Sequence, residues 1–517
     1  TANWLLAIPG RGFIQTSGGV GNIAGDTWAF PTNTVLARTL ALEFETGQPS
    51  SLRRIETQLL HWDGQAWNPY SYRWRSDESD ADLVGNAGTN VTFTVNDPGA
   101  PDGKRSTPWR FMTRAECLRC HNAWAGEALT LNWLQLGSPD AEESQLRKLV
   151  ALDALKLRNA PATVEPLAYP FDDSFTIAER ARSWLHVNCS ACHRFGAGGA
   201  VSLHLNHEKR LGETRALDVK PSRGEFGLID ARIIAPGDPY RSTLFYRINT
   251  GGAGRMPHIG SRSSDPDGVN VIRDWIQSLS SPTNRGSDEA IRLAQDIQRQ
   301  LGRLNGPSRN EAVAALHSSM NGSLALLGGI GGSPQLRRIA VQSAATHTNY
   351  FVRDLYQHLL PPGERRVTVG DSPNAQAILA LAGNRDRGRD VFAGAAQCTQ
   401  CHPSPGGRQT FGPDLAGLGR KYNRAQLLTQ ILQPSESVAP EFKLTSVTTK
   451  DGRELTGFVI RRMPGAIVLK EQSLAEHTLE SGQIAELRES SLSAMPEGLL
   501  APLTAQEVAD LLEYLAN

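Results

Sequence analysis

The stretch FTIAERARSWLHVNCSACH covers residues 175–193 and combines a helical pattern with closely spaced thiol and imidazole groups. Four of its apolar residues recur at helical spacing, namely Ile177, Ala181, Trp184 and Leu185. The pattern predicts a helix over 175–187 that leads directly into Cys189-Ser190-Ala191-Cys192-His193. We therefore expect two thiols and one imidazole at the end of this helix.

The same C-x-x-C-H pattern occurs twice more, and the three copies use all 6 cysteines of the chain. The other two copies are Cys117-Leu118-Arg119-Cys120-His121 and Cys398-Thr399-Gln400-Cys401-His402. A chain of this composition would contain roughly 0.002 such pentapeptides by chance. The pattern is therefore specific, and it leaves no cysteine for a disulfide.

C-x-x-C-H is typical of haem c attachment, in which both thiols form thioethers to the porphyrin and the histidine ligates the iron. The alternatives are a zinc site, a redox-active dithiol and simple disulfides. A zinc site built from two C-x-x-C pairs would leave the third motif idle, and a redox dithiol would sit in a βαβ context that this sequence lacks. The three adjacent histidines favour three covalently bound haem c groups. Because such haem is attached outside the cytoplasm, we expect a periplasmic, extracellular or cell-surface bacterial protein.

Two methionines are the expected distal ligands of the second and third haems, since a His/Met pair is typical of electron-transfer haem. Met256 lies after His193 and before an apolar helical pattern over 269–279. Met495 has the same relation to His402 and to a helical pattern over 504–515. Met463 lies between two predicted strands and is the less suitable candidate.

The first haem, at His121, has no obvious distal ligand in the sequence. Met112 lies five residues before Cys117, His61 lies in a β-rich region, and His186 lies just before the second motif. Each of the three remains a candidate, beside another residue or a vacant position. An iron without a distal protein ligand, called open here, would bind peroxide or another small molecule.

The chain length and the change of pattern along the chain predict a multidomain α+β protein. Residues 1–160 are expected to form a β-rich module with the first haem, with strands over 35–44, 54–62 and 90–95 and a short apolar helix over 127–136 after the first motif. Residues 161–283 are expected to form a mainly α, cytochrome c-like domain with the second haem.

The second half of the chain is divided in the same way. Residues 284–370 are expected to form a helical connector, with apolar positions at Ile291, Ala294, Ile297, Leu301 and Leu304 and a cap at Ser287. Residues 371–517 are expected to form a second mainly α, cytochrome c-like domain. It carries the third haem and a small β insertion with strands over 442–449, 455–461 and 466–470.

Composition and hydropathy bear on the partners and the location to expect. Lys plus Arg and Asp plus Glu number 53 each, so the balanced charge gives no indication of a nucleic-acid partner. No apolar run is long enough for a transmembrane segment, and the first ten residues lack the pattern of a signal peptide.

The C-terminal part, roughly the last 150 residues, resembles the Planctomycetes/Verrucomicrobia-type haem-binding domain. The matching motifs are Gly388-Arg389-Asp390-Val391-Phe392, the Cys398 motif, Phe411-Gly412-Pro413-Asp414-Leu415, Thr449-Lys450-Asp451-Gly452 and Met495-Pro496-Glu497-Gly498-Leu499. The resemblance implies that His402 and Met495 form the axial pair of the third haem.

Residues 1 to about 283 resemble a two-haem module with a β-rich start. The matching motifs are Trp28-Ala29-Phe30-Pro31, Arg54-Ile55-Glu56-Thr57, Tyr70-Ser71-Tyr72 and Arg255-Met256-Pro257. Members occur beside or fused to propeller dehydrogenases that use pyrroloquinoline quinone (PQQ) to oxidise sugars. The resemblance implies a role as electron acceptor, although this chain contains no propeller.

These observations together predict a three-haem c-type cytochrome that passes electrons between redox proteins and has no catalytic residues of its own. The expected partners are a quinoprotein dehydrogenase, another cytochrome or an oxidase. One alternative is a peroxidase-like haem enzyme that uses an open first haem. Another is the cytochrome subunit of a PQQ-dependent dehydrogenase complex.

Overall fold

The computed structural model of the protein describes residues 2–16, 28–85, 88–98, 103–137, 144–160, 165–197, 201–261, 264–279, 296, 299–301, 306–330, 333–370, 373–403 and 410–517. The chain divides into two compact units, Thr1–Arg210 and Leu211–Asn517. Both helices and antiparallel sheets are present, which confirms the α+β class. The division after Arg210 falls inside the predicted domain 161–283, and the four-part organisation remains a prediction.

The first unit begins with a five-stranded antiparallel sheet in the order β1-β3-β4-β5-β6. Its strands are β1 Ala2–Ala7, β3 Val35–Glu43, β4 Leu52–Trp62, β5 Trp67–Trp74 and β6 Ala81–Leu83. Two smaller pairs accompany it, β2 Ile14–Gln15 with β9 Leu155–Lys156, and β7 Thr89–Asn96 with β8 Lys104–Phe111. The predicted β-rich start is confirmed.

Hydrogen bonds of Asp63 and of Glu56 explain how the strands of this sheet are joined. Asp63 Oδ1 accepts hydrogen bonds from the backbone N–H groups of Gln65 and Ala66, both at 2.8 Å, and Gly64 has φ +98°, so the chain reverses between β4 and β5. Glu56 of β4 is 1% exposed and accepts hydrogen bonds from Ser71 on β5 and from Trp109 on β8. A buried carboxylate is thereby fully paired, as burial requires.

The first unit contains four α-helices within its described residues, and two of them carry cysteines of the first and second C-x-x-C-H motifs. The four helices are Arg114–Cys120, Trp133–Leu136, Gln145–Ala151 and Ile177–Cys189. The helix predicted for 127–136 is wrong over most of its length, because Glu127 has φ +51° and the side chain of Asn132 caps a helix that begins only at Trp133. Trp28, Trp67 and Trp133 belong to the apolar core beneath the sheet.

The second unit contains ten helices within its described residues. They are Thr243–Asn249, Pro266–Ser278, Gly306–His317, Met320–Gly329, Pro334–Ala345, Tyr350–Tyr356, Ala375–Leu379, Arg385–Ala393, Arg424–Leu432 and Ala505–Ala516. The helical character of the predicted connector is confirmed where it is described. Of its predicted apolar positions, Leu301 is buried, whereas Ser287, Ile291, Ala294, Ile297 and Leu304 lie outside the described residues.

The predicted β insertion is a five-stranded antiparallel sheet in the order β13-β12-β11-β10-β14. Its strands are β10 Lys443–Thr449, β11 Glu454–Met463, β12 Ala466–Glu471, β13 Glu476–Glu480 and β14 Ile484–Ser493. The first three were predicted. The last two are additional.

The closing helix Ala505–Ala516 packs against Arg385–Ala393, the helix that precedes the third motif. A Cβ at Gly388 would lie 2.0 Å from the backbone oxygen of Asp510, so glycine permits this close approach. Asp510 also accepts hydrogen bonds from Arg387 and from the backbone of Asn384. In the part of the chain that the structure describes, no helix is long and apolar enough to cross a bilayer.

Candidate haem-attachment sites

A short capped helix presents the first motif. Thr113 caps Arg114–Cys120: its hydroxyl accepts from the N–H of Glu116, and Glu116 accepts from the N–H of Thr113. Glu116 also pairs with Arg110 at 2.9 Å in a nearly buried ion pair. The helix places Cys117 and Cys120 one turn apart, which puts both thiols on one face.

His121 follows this helix with a defined ring orientation. Its Nδ1 lies 2.6 Å from the backbone oxygen of Glu127. Because a carbonyl oxygen only accepts, Nδ1 must carry the proton, and the lone pair of Nε2 is left for a metal. Burial lowers the pKa of His121, so the neutral ligand form is favoured near neutral pH.

The second motif ends the longer helix Ile177–Cys189, which was predicted from the apolar spacing. Thr176 and Glu179 form its capping box, and Trp184 and Leu185 are buried. The backbone N–H of His193 donates to the oxygen of Cys189 at 2.8 Å. The motif therefore continues the helix as a tight turn.

The first and second motifs contact each other, although 72 residues separate Cys120 from Cys192 in the chain. Their Sγ atoms lie 3.9 Å apart. Asn122 Nδ2 donates to the backbone oxygen of Ala191 at 3.1 Å, and the Trp124 and Phe195 rings meet edge to face at 4.9 Å. The attachment peptides of two predicted haems thus form one packed cluster.

The third motif shows the same histidine geometry as the first. His402 Nδ1 lies 2.9 Å from the backbone oxygen of Pro413, so Nε2 again carries the free lone pair. Gly412 packs against this histidine. A Cβ at Gly412 would lie 2.7 Å from the oxygen of Cys401 and 3.1 Å from His402 Nδ1, closer than side-chain contacts normally allow.

Aromatic and charged groups surround His402. Phe411 stacks on Phe458 of β11 with ring centroids 4.2 Å apart, so the inserted sheet supports the loop that holds the histidine. The Arg223 guanidinium lies 5.9 Å from the centroid of the Phe411 ring. Burial, and to a lesser degree the charge of Arg223, lower the pKa of His402, while its bond to Pro413 opposes them. A partly buried positive charge therefore acts on the third site.

The leading thiol of each motif is partly buried. Burial raises the pKa of Cys117, Cys189 and Cys398 to about 12. Burial therefore favours the neutral thiol at these three positions. At the first and third motifs these thiols lie near a histidine whose Nδ1 is bonded to a backbone carbonyl, and this combination fits the donor set of haem c.

His186, a distal candidate for the first haem, forms a different hydrogen bond from His121 and His402. Its Nδ1 accepts a hydrogen bond from the backbone N–H of His207 at 3.0 Å. The neutral ring therefore carries its proton on Nε2, which leaves neither nitrogen with a free lone pair. Burial lowers the pKa of His186 to about 3. This arrangement argues against His186 as an iron ligand.

The other two candidates for the first haem lie elsewhere in the first unit. His61 lies on β4, where its Nε2 is 3.2 Å from the side-chain oxygen of Asn33. Met112 lines a cavity of about 120 Å³ together with Cys117. The structure thus places Met112 beside the first motif. The assignment of His61 or Met112 as the distal ligand of the first haem stays a prediction.

The candidate methionines are placed as follows. Met256 belongs to the second unit and His193 to the first, so their pairing remains a prediction. Met495 lies in the same unit as His402, in the loop between β14 and the closing helix. Met463 ends β11 and is 37% exposed, as expected for a residue that is not a ligand.

Hydrogen bonds fix the loop that carries Met495. Its backbone N–H donates to Ser493 Oγ at 3.1 Å. The hydroxyl of Ser435 accepts from the N–H of Ser493 and donates to Glu497, which is 7% exposed. The loop is therefore held in one conformation on both sides of the methionine.

Several functional positions are missing from the sequence-based list. They are Asn122 and Trp124 at the contact between motifs, Gly412 and Pro413 behind His402, and the cation Arg223. Of these, Gly412 and Pro413 lie in a quoted family motif, whereas no motif indicates the others.

Wider comparisons add no identification. Among the described residues, no group of three or more His, Cys, Asp or Glu side chains is arranged to hold a metal ion. Comparison of the chain with protein-family models and with curated proteins gave no match. The two family resemblances therefore rest on the motifs quoted for them.

Proposed function

We propose that this chain is a three-haem c-type cytochrome that transfers electrons between redox proteins outside the cytoplasm. The observation that carries the proposal is the local geometry of the motifs. At His121 and His402 a backbone carbonyl holds the Nδ1 proton, so Nε2 is available beside two half-buried thiols. When bound, haem c would supply one-electron redox chemistry at its iron.

The residues of this chain have distinct roles in the proposal. The six cysteines anchor three porphyrins, and His121, His193 and His402 are the proximal ligands. Met256 and Met495 are the proposed distal ligands of the second and third sites, and both methionines are half-buried. The backbone oxygens of Glu127 and Pro413 orient the proximal imidazoles.

A second candidate function is a peroxidase-like enzyme that uses the first site. The cavity beside Cys117 favours it, because Tyr70, Ser71 and Arg114 line the same space with polar groups. Such groups could bind a small polar molecule close to the first haem. In this reading the other two sites would deliver electrons to it.

The donor and acceptor in either case would be redox proteins, such as a quinoprotein dehydrogenase, another cytochrome or an oxidase. The proposed location is the periplasm or the cell surface, where haem c is attached. An association with a PQQ-dependent dehydrogenase would appear as copurification of the two proteins.

Haem content is the direct test. A pyridine haemochrome assay and an intact mass should give three covalently bound haems per chain, and two or fewer would contradict the proposal. Replacing both cysteines of one motif with alanine should remove one haem each time. Ferric spectroscopy with added peroxide or carbon monoxide then separates the two functions, because only an open first site would respond.

A further inference from the structure

We infer that the first and second motifs build one two-haem centre whose porphyrins are directly coupled, rather than two separate sites. This inference rests on the proposed function, since it requires haem at both motifs. The observation behind it is the contact between the motifs, which lies entirely within the first unit.

The sulfur atoms limit how far apart the two porphyrins lie. Cys120 Sγ and Cys192 Sγ are 3.9 Å apart, and each would carry a thioether. Two covalent bonds of about 1.5–1.8 Å separate each sulfur from its porphyrin ring, so the nearest ring edges lie within about 11 Å of each other, whatever the ring orientation. At such a separation the optical transitions and the iron spins of two haems interact.

The backbones of the two motifs are also joined, so the sulfur contact is not an isolated approach. Asn122 Nδ2 donates to the oxygens of Arg119 and Ala191, one in each motif. Cys192 Sγ lies 3.4 Å from the backbone oxygen of Arg119. The two bonds of Asn122, which do not depend on a free thiol, tie the end of the first motif to the middle of the second.

Aromatic packing beyond the motifs holds the same contact. Trp124 meets Phe195 edge to face, and Gly196, with φ +72°, leaves room for the Trp124 ring. A Cβ at Gly196 would lie 2.3 Å from that ring. Asn122, Trp124 and Gly196 are therefore positioning residues for the pair, and none of them is proposed to ligate iron.

The inference is tested on the full chain with all haems attached. Circular dichroism in the Soret band should show a paired positive and negative signal, and electron paramagnetic resonance of the oxidised protein should show spin-coupled haems. Removing the first haem (Cys117→Ala with Cys120→Ala) or the second (Cys189→Ala with Cys192→Ala) should abolish both signals. Removing the third haem (Cys398→Ala with Cys401→Ala) is the matched control and should leave them.

A milder pair of variants covers the case in which loss of a haem prevents folding. Asn122→Ala removes the bond to Ala191 and should reduce the paired signal by roughly half or more, because loosely held groups lose their defined geometry. Asn188→Ala is its control. Asn188 Nδ2 donates at 2.9 Å to the backbone of Trp184 in its own helix, so the signal should stay unchanged.

The outcomes separate this inference from the proposed function. Three haems without a paired signal or spin coupling would overturn the inference and leave the cytochrome proposal intact. Equal signals in the Asn122→Ala and Asn188→Ala variants would remove the positioning role of Asn122. Fewer than three haems in the natural chain would instead overturn the cytochrome proposal.

Discussion

Gly412→Ala should perturb the third site without touching a cysteine or a proposed ligand. The added Cβ would lie 2.7 Å from the backbone oxygen of Cys401 and 3.1 Å from Nδ1 of His402. Neither neighbour is free to move away. The Cys401 oxygen accepts from the N–H of Gly412 at 2.7 Å, and His402 Nδ1 is bonded to Pro413.

Two effects of different size should follow. Inserting a methyl group into such packing costs about 1–3 kcal/mol in the free energy of unfolding. Weakening the hydrogen bond from His402 Nδ1–H to the Pro413 oxygen removes up to about 1 kcal/mol of stabilisation. The weaker hydrogen bond also makes the imidazole a weaker donor to ferric iron. The midpoint potential of the third haem should therefore rise, by at most about 40 mV for a one-electron couple.

Optical redox titration and guanidinium unfolding measure these effects. Gly482→Ala is the matched control, since a Cβ there meets nothing within 4 Å. It should change the unfolding free energy by no more than about 0.5 kcal/mol and should leave all potentials unchanged. If Gly412→Ala behaved like Gly482→Ala in both assays, the reasoning about His402 would be refuted.

Three further predictions concern the same unit. Met495→His should lower one midpoint potential in a redox titration, because imidazole stabilises ferric iron more than a thioether does. Met463 is exposed, so Met463→His should leave the titration unchanged. Arg223→Gln should also lower the midpoint potential of the third haem, because it removes a positive charge beside His402. The exposed Arg389→Gln variant is its control, and equal potentials in the two variants would contradict the electrostatic role of Arg223. Burial disfavours the charged form of Asp510, but hydrogen bonds from Arg387, Gln506 and Asn384 outweigh it and lower the pKa of its carboxyl below the usual value. The stability that ionised Asp510 gives the folded chain is therefore present above about pH 4 and is lost as the pH falls through the lowered pKa. The thermal midpoint of the Asp510→Asn variant should fall less steeply with acid than that of the natural chain.

Local patterns predicted much of the secondary structure. Apolar spacing placed the helix that ends at Cys189, and strand-forming residues placed β3, β4 and β10 close to their observed bounds. These elements are decided by neighbours in sequence, which is the information that periodicity contains.

Two local predictions were incomplete for physical reasons. The apolar run over 127–136 resembled a helix, but a left-handed residue at Glu127 and the cap at Asn132 shorten it to one turn. The strand β13, Glu476–Glu480, is rich in charged residues and was missed, because its pairing with β12 decides its conformation.

The geometry of the sites depends on contacts that no local pattern contains. The oxygen that orients His402 comes from Pro413, 11 residues later, and Cys120 meets Cys192 across 72 residues. Sequence therefore identified the thiols and imidazoles, whereas their orientation and grouping required the folded chain.

The packing of Cys120 against Cys192 has a consequence for biogenesis. In the folded unit the two sulfurs lie 3.9 Å apart, and Asn122 and Trp124 make contacts between the two peptides. On the proposed function, porphyrin would therefore be joined to both peptides before the first unit packs these two sulfurs together.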